Sequence, residues 1–284
     1  MEDAQGAASD VSAISRLLYS PRRNGPAQTE RSTALAIVTF PLQLTGRRML
    51  APSVAHLSFV RGDGQALDFT PGQFLQVHFD YADGTATRRS YSLASRHSGP
   101  LHAGGTVEIA VSYVPGGAAT ALFEALEIGQ SVQASGPFGR FTLQPGDVNA
   151  RYLLLATGTG VTPYRAMLPT LARLMEQRAV EVVLLQGART VEELLYGEEF
   201  RSFAQAHPPF RYLPCLSRGL PASPHADMRH GYVQQFLEEL APDPARDIAY
   251  LCGNPDMVDA GFEALKARGL TPAQLRREKY VSSR

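Results

Sequence analysis

The 284-residue chain lacks several features that would narrow its function at once. It has two cysteines, Cys215 and Cys252, too few for a four-cysteine iron–sulfur cluster, a cysteine-rich zinc site or a disulfide framework. Its 27 basic and 27 acidic residues cancel, so no global charge favours nucleic acid or a membrane. No apolar run reaches membrane-spanning length, and residues 1–10 lack the layout of a secretory signal. We therefore expect a cytoplasmic protein with no nucleic-acid or membrane partner, and no histidine spacing predicts a metal site.

Three regions of the chain differ in pattern. Residues 1–33 are rich in Ala, Ser, Gly, Arg and Pro without periodicity, which predicts a flexible leader. Residues 34–147 contain short β-rich runs separated by Gly, Pro and Asp turns, a pattern typical of an antiparallel barrel or sandwich. In residues 148–284, apolar runs alternate with helical stretches, which predicts an α/β domain with a parallel sheet, expected to have five strands. The sequence thus indicates two domains after the leader.

A glycine turn joins strand to helix at the start of the second domain. In the segment 153–167, an apolar strand leads into Gly158 and Gly160, and then into a helix that Thr162 can cap with Pro163 in its first turn. Such a turn lets backbone N–H groups and the helix dipole face a phosphate. A tight connection with no ligand is the alternative for this motif taken alone.

Two arginines follow the next strands. The second strand of this domain runs into Arg189 and shows no acidic residue of the kind that holds a ribose hydroxyl in dinucleotide-binding folds. The third strand ends at Ser217 and Arg218, so Arg189 and Arg218 should lie at neighbouring carboxyl ends. Two guanidinium groups there suit a phosphate monoester and favour NADP(H) over NAD(H). Taken singly, either arginine could equally be a solvated surface side chain.

Two segments of the first domain could bind a nucleotide. On a strand, the sequence Arg89-Ser90-Tyr91-Ser92 puts the cation and the aromatic ring on one face and the two hydroxyls on the other. A cation–π pair or a solvated edge would explain the same residues. The glycine turn at 115–123 runs into a helix and could present N–H groups and a hydroxyl to a phosphate, or be a plain connection.

Taken together and in this order, the motifs resemble the ferredoxin–NADP reductase family over residues 52–280. The matching segments are Pro71–Phe74, Arg89–Ser92, Gly117–Thr120, Gly136–Gly139, Gly158–Pro163, Cys252–Met257 and Glu278–Tyr280. The resemblance implies a β-barrel that binds FAD, followed by an α/β domain that binds NADP(H).

The resemblance also implies site residues. Arg89 would bind the FAD pyrophosphate, Tyr91 would lie against the isoalloxazine, and Tyr280 would cover its other face. The implied FAD-binding set is Arg89, Ser90, Tyr91, Ser92, Gly117, Ala118, Ala119, Thr120 and Tyr280. The implied NADP-binding set is Thr157, Gly158, Thr159, Gly160, Thr162, Pro163, Arg189, Ser217, Arg218, Tyr232, Cys252, Gly253, Asn254, Pro255 and Met257. The implied catalytic residues are Ser92, Cys252, Glu278 and Tyr280.

The function that this resemblance implies is that of a monomeric ferredoxin–NADP(+) reductase. FAD would exchange hydride with NADP(H) and single electrons with ferredoxin or flavodoxin, a small acidic redox protein. One alternative is an NAD(P)H-dependent reductase for an oxygenase, a cytochrome or free flavin. Another is a flavoprotein scaffold subunit without a hydride step of its own, against which the intact set of catalytic residues argues.

Overall fold

The computed structural model describes residues 38–97, 101–102 and 104–281. The predicted leader, residues 1–33, lies outside them. The described part contains two six-stranded sheets, one antiparallel and one parallel. Among these residues, no helix is both long enough and apolar enough to cross a membrane.

The first sheet is antiparallel, in the order β4-β3-β6-β1-β2-β5. Its strands alternate along much of their length between apolar side chains facing the core and polar ones facing outward, as half-buried strands do. An isolated bridge between Leu93 and Ile109 joins the two outermost strands and closes the sheet into a barrel-like form. Its elements are β1 (Thr39–Ala51), β2 (Val54–Arg61), β3 (Phe74–Asp80), β4 (Ala86–Ser92), β5 (Val107–Ser112), α1 (Ala118–Ala125) and β6 (Ser131–Phe138).

The second sheet is parallel, in the order β10-β9-β8-β7-β11-β12. Its central strands are almost continuously apolar because helices cover both faces. Its elements are β7 (Arg151–Thr157), α2 (Thr162–Gln177), β8 (Glu181–Ala188), α3 (Gly197–Ala206), β9 (Phe210–Leu216), β10 (Arg229–His230), α4 (Leu237–Leu240), β11 (Asp247–Gly253), α5 (Pro255–Ala267) and β12 (Leu275–Lys279). Short 3₁₀ turns occur at Gly158–Val161, Val191–Glu193, Val233–Phe236 and Pro272–Gln274.

The predicted fold class is confirmed, with one difference in strand number. Five strands of the parallel sheet have at least five residues, as expected, and the sixth, β10, has two. So short an edge strand leaves no apolar run in the sequence. The proposed boundary near residue 147 lies between the last barrel strand and β7, and it remains a prediction.

The two sheets belong to one compact unit and share part of a core. Ala51, Val54 and Ala110 of the barrel pack in the same apolar cluster as Tyr164 and Met167 of α2. A separate cluster fills the barrel, and a third covers the other face of the parallel sheet. The shared cluster holds the carboxyl ends of β7 and β11 close to the barrel.

Candidate active site

Two cavities lie beside the carboxyl ends of the parallel strands. The first, here called the barrel cavity, has a volume of about 610 Å³ and opens between β4 and the end of β12. It is lined by Phe74, Tyr81, Arg88, Arg89, Ser90, Tyr91, Ser92, Ala110, Ser112, Val114, Gly117, Ala118, Ala119, Thr120, Thr159, Thr162, Glu278, Lys279, Tyr280 and Val281. Residues from both sheets therefore build one concave site.

Arg89 supplies the barrel cavity with a cation held by neutral groups. Its guanidinium donates hydrogen bonds to the hydroxyls of Tyr81 at 2.6 Å and Thr87 at 3.1 Å, and to the backbone oxygen of Arg88 at 2.9 Å. No carboxylate pairs with it among the described residues. The Arg89 charge is thus positioned but not neutralised, as an anion site requires.

An aromatic wall stands beside this cation. The half-buried ring of Tyr91 packs edge-on against Phe123, with 5.4 Å between ring centroids. Burial raises the pKa of Tyr91 to about 12, so its hydroxyl stays protonated at neutral pH. Tyr91 therefore presents a fixed, uncharged ring surface.

The first turn of α1 forms the far wall of the barrel cavity. The helix follows Gly117, and no side chain caps its first N–H groups. The Thr120 hydroxyl accepts a hydrogen bond from the Val114 backbone at 2.8 Å, which leaves its own proton free to donate. Backbone donors and the helix dipole are thereby directed at the cavity, an arrangement suited to phosphate oxygens.

Several proton-bearing groups cluster where the segment Glu278–Tyr280 borders the barrel cavity. The Tyr280 and Ser92 hydroxyls share a hydrogen bond, and the Tyr280 backbone N–H donates to the Gly253 oxygen at 2.8 Å. Burial raises the pKa of the Cys252 thiol well above its usual value, so it stays protonated. Burial also raises the pKa of Glu278 to about 7, which makes it a carboxyl that can hold or release a proton near neutrality.

Close backbone approach explains the glycines of the next turn. A Cβ on Gly160 would lie 2.3 Å from the Cys252 backbone oxygen. A Cβ on Gly253, which has φ 129°, would lie 2.5 Å from the Thr157 backbone oxygen. The Thr157 hydroxyl accepts a hydrogen bond from the Asn254 backbone at 3.0 Å. The turns after β7 and β11 are therefore pressed together where the two cavities meet.

Thr162 does not cap α2, contrary to the expectation from sequence. The 3₁₀ turn at Gly158–Val161 runs directly into the helix, so Val161 is already in the helical region and occupies the N-cap position. Thr162 is the first helical residue, and Pro163 follows it in the first turn. Thr162 is instead one of the residues that line the barrel cavity.

The second cavity, here called the sheet cavity, has a volume of about 680 Å³ at the ends of β7, β8 and β9. The barrel contributes Ala51, Ser53 and Val54 to one side of it. Its other lining residues are Thr157, Gly158, Gly187, Ala188, Arg189, Glu193, Leu195, Cys215, Ser217, Gly231, Tyr232, Val233, Gln234, Asn254, Asp256, Met257 and Ala260.

The two arginines predicted for this site lie at neighbouring strand ends. The Arg218 backbone N–H donates to the Arg189 backbone oxygen at 3.0 Å. Arg218 is exposed next to the sheet cavity without lining it, whereas Ser217 and Tyr232 do line it. Tyr232 is 61% exposed, so its ring is accessible for stacking.

An acidic residue lies in the turn after β8, beyond the strand end that lacks one. Glu193, in the 3₁₀ turn after β8, accepts two hydrogen bonds from the Arg189 guanidinium, one of them 2.8 Å from Nε to Oε2. The hydrogen bond from Arg189 lowers the pKa of Glu193, which is therefore ionised at neutral pH. The end of β8 itself carries no acid, as the sequence indicated, and Glu193 lies in the turn beyond it. Its spacing of four residues from Arg189 was the available signal.

The comparisons with known proteins agree with this geometry. Residues 41–143 match the family model for an oxidoreductase FAD-binding domain, and residues 154–261 match that for an oxidoreductase NAD-binding domain. The chain is 36% identical over 249 residues to ferredoxin–NADP reductase B of Sorangium cellulosum, covering 85% of this chain and 97% of that protein. The chain belongs to the ferredoxin–NADP reductase family.

Two further matches of this reductase, one to a curated protein and one to a solved structure, come from Amycolatopsis. It is 34% identical over 264 residues to the reductase subunit of an aromatic O-demethylase, covering 90% of this chain and 75% of the relative. The crystal structure of an Amycolatopsis cytochrome P450 reductase matches with a TM-score of 0.72 and 30% identity, covering 86% of this chain and 70% of that one. The chain is thus an FAD- and NAD(P)-binding oxidoreductase, as its resemblance implied.

The residues of this reductase suit FAD at the barrel cavity. Thr162 lines the cavity, and its buried hydroxyl has no hydrogen-bond partner among the described residues. A buried hydroxyl without a partner is costly, so a polar group bound in the cavity would stabilise it. Together with the cation Arg89 and the α1 turn, this donor set fits a nucleotide with a pyrophosphate. Among the described residues, no group of three or more metal-binding side chains occurs.

The predicted site residues of the reductase fall into three groups. The whole predicted FAD set lines the barrel cavity, and two residues predicted for NADP, Thr159 and Thr162, line it as well. The sheet cavity contains Thr157, Gly158, Arg189, Ser217, Tyr232, Asn254 and Met257 of the predicted NADP set. Neither cavity is lined by Gly160, Pro163, Arg218, Cys252, Gly253 or Pro255.

Sequence reasoning missed lining residues that belong to no motif. Tyr81 and Val114 lie in loops of the barrel, and Ser53 lies between β1 and β2. Only the fold brings them to the cavities. Gln234 closely follows the predicted Tyr232, and Asp256 lies within the matched segment Cys252–Met257, but neither side chain was predicted to bind.

Proposed function

We propose that this reductase passes electrons from NADPH, through FAD in the barrel cavity, to a separate ferredoxin or flavodoxin. The observation that carries the proposal is the meeting of the two cavities at one turn. Thr157 and Gly158 line the sheet cavity, while Thr159 and Thr162 line the barrel cavity. A dinucleotide lying along the sheet cavity would therefore bring its nicotinamide end to the flavin site.

The barrel residues would hold and orient the cofactor. Arg89 and the first turn of α1 would bind the pyrophosphate, and Tyr91 would support one face of the ring system. Tyr280, hydrogen-bonded to Ser92, would cover the other face until nicotinamide replaces it. FAD, when bound, supplies the exchange between two-electron hydride transfer and one-electron transfer.

Ser92, Cys252 and Glu278 would complete the transfer site. The Ser92 hydroxyl would donate toward the ring system, and Glu278 would hold or release a proton near neutral pH. Cys252, which is buried, protonated and lines neither cavity, would support the site by packing behind it rather than act as a nucleophile.

The choice of NADPH rests on the cationic end of the sheet cavity. Ser217, Arg218 and Arg189 would meet the 2′-phosphate, and the exposed ring of Tyr232 would pack on the adenine. The Arg189–Glu193 ion pair bears on this choice because it engages Arg189, whereas Arg218 forms no salt bridge with a carboxylate among the described residues. Arg218 is therefore the residue that would discriminate between the two dinucleotides.

A separate electron carrier is proposed because this chain supplies no four-cysteine cluster. Both of its cysteines are buried and free. The Sorangium relative, matched over nearly its whole length, is named a ferredoxin–NADP reductase. We propose that residues 34–147 bind FAD, that residues 148–284 bind NADPH, and that the chain acts as a monomer.

A second candidate is an NADH-dependent reductase for an oxygenase or a cytochrome P450. Glu193 favours it, because its carboxylate lines the sheet cavity just beyond the end of the second strand, where it could accept a hydrogen bond from a free ribose hydroxyl. The names of the two Amycolatopsis relatives fit the same function.

Rapid mixing of the FAD-loaded protein with NADPH and with NADH, without oxygen, separates these candidates. Fast loss of the flavin absorption with NADPH and slow loss with NADH supports the first, and the reverse supports the second. Turnover with ferredoxin, flavodoxin, a cytochrome and free flavin then identifies the acceptor class. Protein that binds FAD but is reduced by neither dinucleotide would contradict both and leave the scaffold alternative.

A further inference from the structure

A cluster of charged groups lies outside both cavities, where the barrel meets the parallel sheet. At its centre, the Arg165 guanidinium of α2 donates to the Glu108 carboxylate of β5 at 2.7 Å and to the Glu199 carboxylate of α3 at 2.8 Å. It also donates to the Ala94 backbone oxygen at 2.7 Å. The Arg165 side chain is only 7% exposed. One buried cation therefore joins the barrel to two helices of the α/β domain.

Two aromatic side chains extend this cluster. One His56 ring nitrogen lies 3.2 Å from the Glu108 carboxylate, and the other lies 2.9 Å from the Tyr196 hydroxyl. The Arg165 guanidinium lies 4.7 Å from the centroid of the Tyr196 ring. Tyr196 has φ 58°, a left-handed conformation that costs a bulky residue free energy unless contacts hold it. We call His56, Glu108, Arg165, Tyr196 and Glu199 the domain latch.

The charges of the latch depend on one another. Burial alone would raise the pKa of Glu108, but hydrogen bonds from His56 and Arg165, together with the Arg165 charge, lower it to about 2. Glu108 is thus ionised at neutral pH. Removing its charge would leave Arg165 buried with a single carboxylate partner, which is costly.

At three places, a latch residue or its hydrogen-bond partner lies two or three residues along the chain from a residue that lines a cavity. Arg165 lies three residues after Thr162, which lines the barrel cavity at the start of α2. Its acceptor Ala94 lies two residues after Ser92. Tyr196 lies three residues after Glu193, which lines the sheet cavity. No latch residue lines either cavity, so any effect of the latch on the reaction would act through these segments.

We propose that the domain latch positions the dinucleotide-binding domain against the flavin site, at the separation that hydride transfer requires. This inference rests on the proposed function. The latch members are positioning residues: they hold α2 and the loop after β4 in one arrangement. A displacement of about 1 Å between reacting groups can slow a reaction by two orders of magnitude, so a loosened latch should reduce the rate rather than cofactor affinity.

The test compares a latch variant with a matched variant inside one domain. Glu108→Gln removes the charge from the latch and keeps its shape. Asp247→Asn makes the same change in another buried pair, because Asp247 accepts hydrogen bonds at 2.5 and 2.8 Å from Arg151, its neighbour in the parallel sheet. Both variants should lower the thermal midpoint. The latch proposal expects only Glu108→Gln to slow hydride transfer.

The first readout is the limiting rate constant of flavin reduction, measured on FAD-loaded protein at saturating dinucleotide. Glu108→Gln should lower it on the order of tenfold or more, with FAD affinity within about twofold of wild type. Asp247→Asn should leave the rate constant within about twofold. Equal rate constants in both variants, or equal losses in both, would overturn the proposal. Glu199→Gln repeats the test from the α3 side if Glu108→Gln does not fold.

The second readout needs no dinucleotide. Amide hydrogen exchange of residues 93–96 and 158–165 should be faster in FAD-loaded Glu108→Gln than in wild type, and unchanged there in Asp247→Asn. Unchanged exchange in Glu108→Gln would overturn the latch. If wild-type protein were not reduced by either dinucleotide, the proposed function would fail, while this readout would still decide whether the latch holds the segments.

Discussion

The arginines of the two cavities differ in the groups that hold their guanidinium charge. In the barrel cavity, Arg89 is held by hydroxyl and carbonyl groups, so its charge is positioned but not cancelled. In the sheet cavity, Arg189 is paired with the Glu193 carboxylate. A site that must always bind a pyrophosphate gains from a permanent cation. A site with a neutral ion pair can accept either a phosphate, through the arginine, or a ribose hydroxyl, through the carboxylate.

Removing the permanent cation should have the largest effect. Arg89→Ala should weaken FAD binding by roughly 10- to 100-fold, because a hydrogen bond to a charged group contributes about 1.5–3 kcal/mol. FAD titration of the apoprotein, followed by flavin fluorescence, measures the change. Arg140→Ala is the matched control, since Arg140 is an exposed arginine of the same domain that lines neither cavity. Equal weakening by both variants would show that overall charge, not the Arg89 contact, binds FAD.

Arg218 should have the next largest effect, and only on one dinucleotide. Arg218→Ala should raise the KM for NADPH severalfold to tenfold and leave the KM for NADH nearly unchanged, because the lost contact is to the 2′-phosphate. The effect should be smaller than that of Arg89 since Arg218 is exposed. Steady-state kinetics with both dinucleotides measure it. Equal losses with NADPH and NADH would remove Arg218 from the 2′-phosphate site.

Breaking the ion pair should shift the balance between the dinucleotides. Glu193→Gln frees the Arg189 guanidinium, so the KM for NADPH should fall by about two- to fivefold while that for NADH rises by a similar factor. The diagnostic quantity is the ratio of the KM for NADH to the KM for NADPH, in which the two changes multiply. Glu192→Gln, one residue earlier and outside the sheet cavity, is the control. An NADH preference unaffected by Glu193→Gln would mean that the carboxylate does not contact the ribose.

The whole predicted FAD set lines one cavity, whereas only part of the predicted NADP set lines the other, for a physical reason. Arg89 to Ser92 and Gly117 to Thr120 are contiguous, and a strand or a helix turn alone brings each group to one surface. The sheet cavity instead collects residues from several strand ends, three 3₁₀ turns, α5 and the barrel. Ser53 reaches it from the barrel, and no local pattern reports such a contact.

The latch and Glu193 escaped prediction because long-range packing creates them. Glu108 and Arg165 are 57 residues apart, and each looks like an ordinary surface charge in the sequence. Glu193 acquires meaning only when the loop after β8 folds back on Arg189. The succession of strands and helices along the chain and the turn glycines were predictable, because hydrophobic period and backbone conformation are local properties.

The two cavities also contain contrasting acids, and this contrast gives the smallest expected effect. The Arg189 hydrogen bond lowers the pKa of Glu193, whereas burial without a cation partner raises that of Glu278 from 4.5 to about 7. Below about pH 4.5, Glu278 is protonated in both the folded and the unfolded chain. Between pH 4.5 and 7 the unfolded chain releases this proton and the folded chain keeps it, so the stability due to Glu278 is lost as pH rises through about 7.

Glu278→Gln should therefore remove a pH-dependent penalty. Its thermal midpoint minus that of wild type should grow by about 2–6 °C between pH 5 and pH 8, since a chain of this size gains a few degrees per kcal/mol. In the same range the corresponding difference for Glu193→Gln should stay constant, because Glu193 is ionised in both states. Thermal unfolding of the three proteins at four or five pH values measures both differences. A constant difference for Glu278→Gln would place the Glu278 carboxyl in water, and it would then lose its proposed place as a proton-holding group beside the flavin.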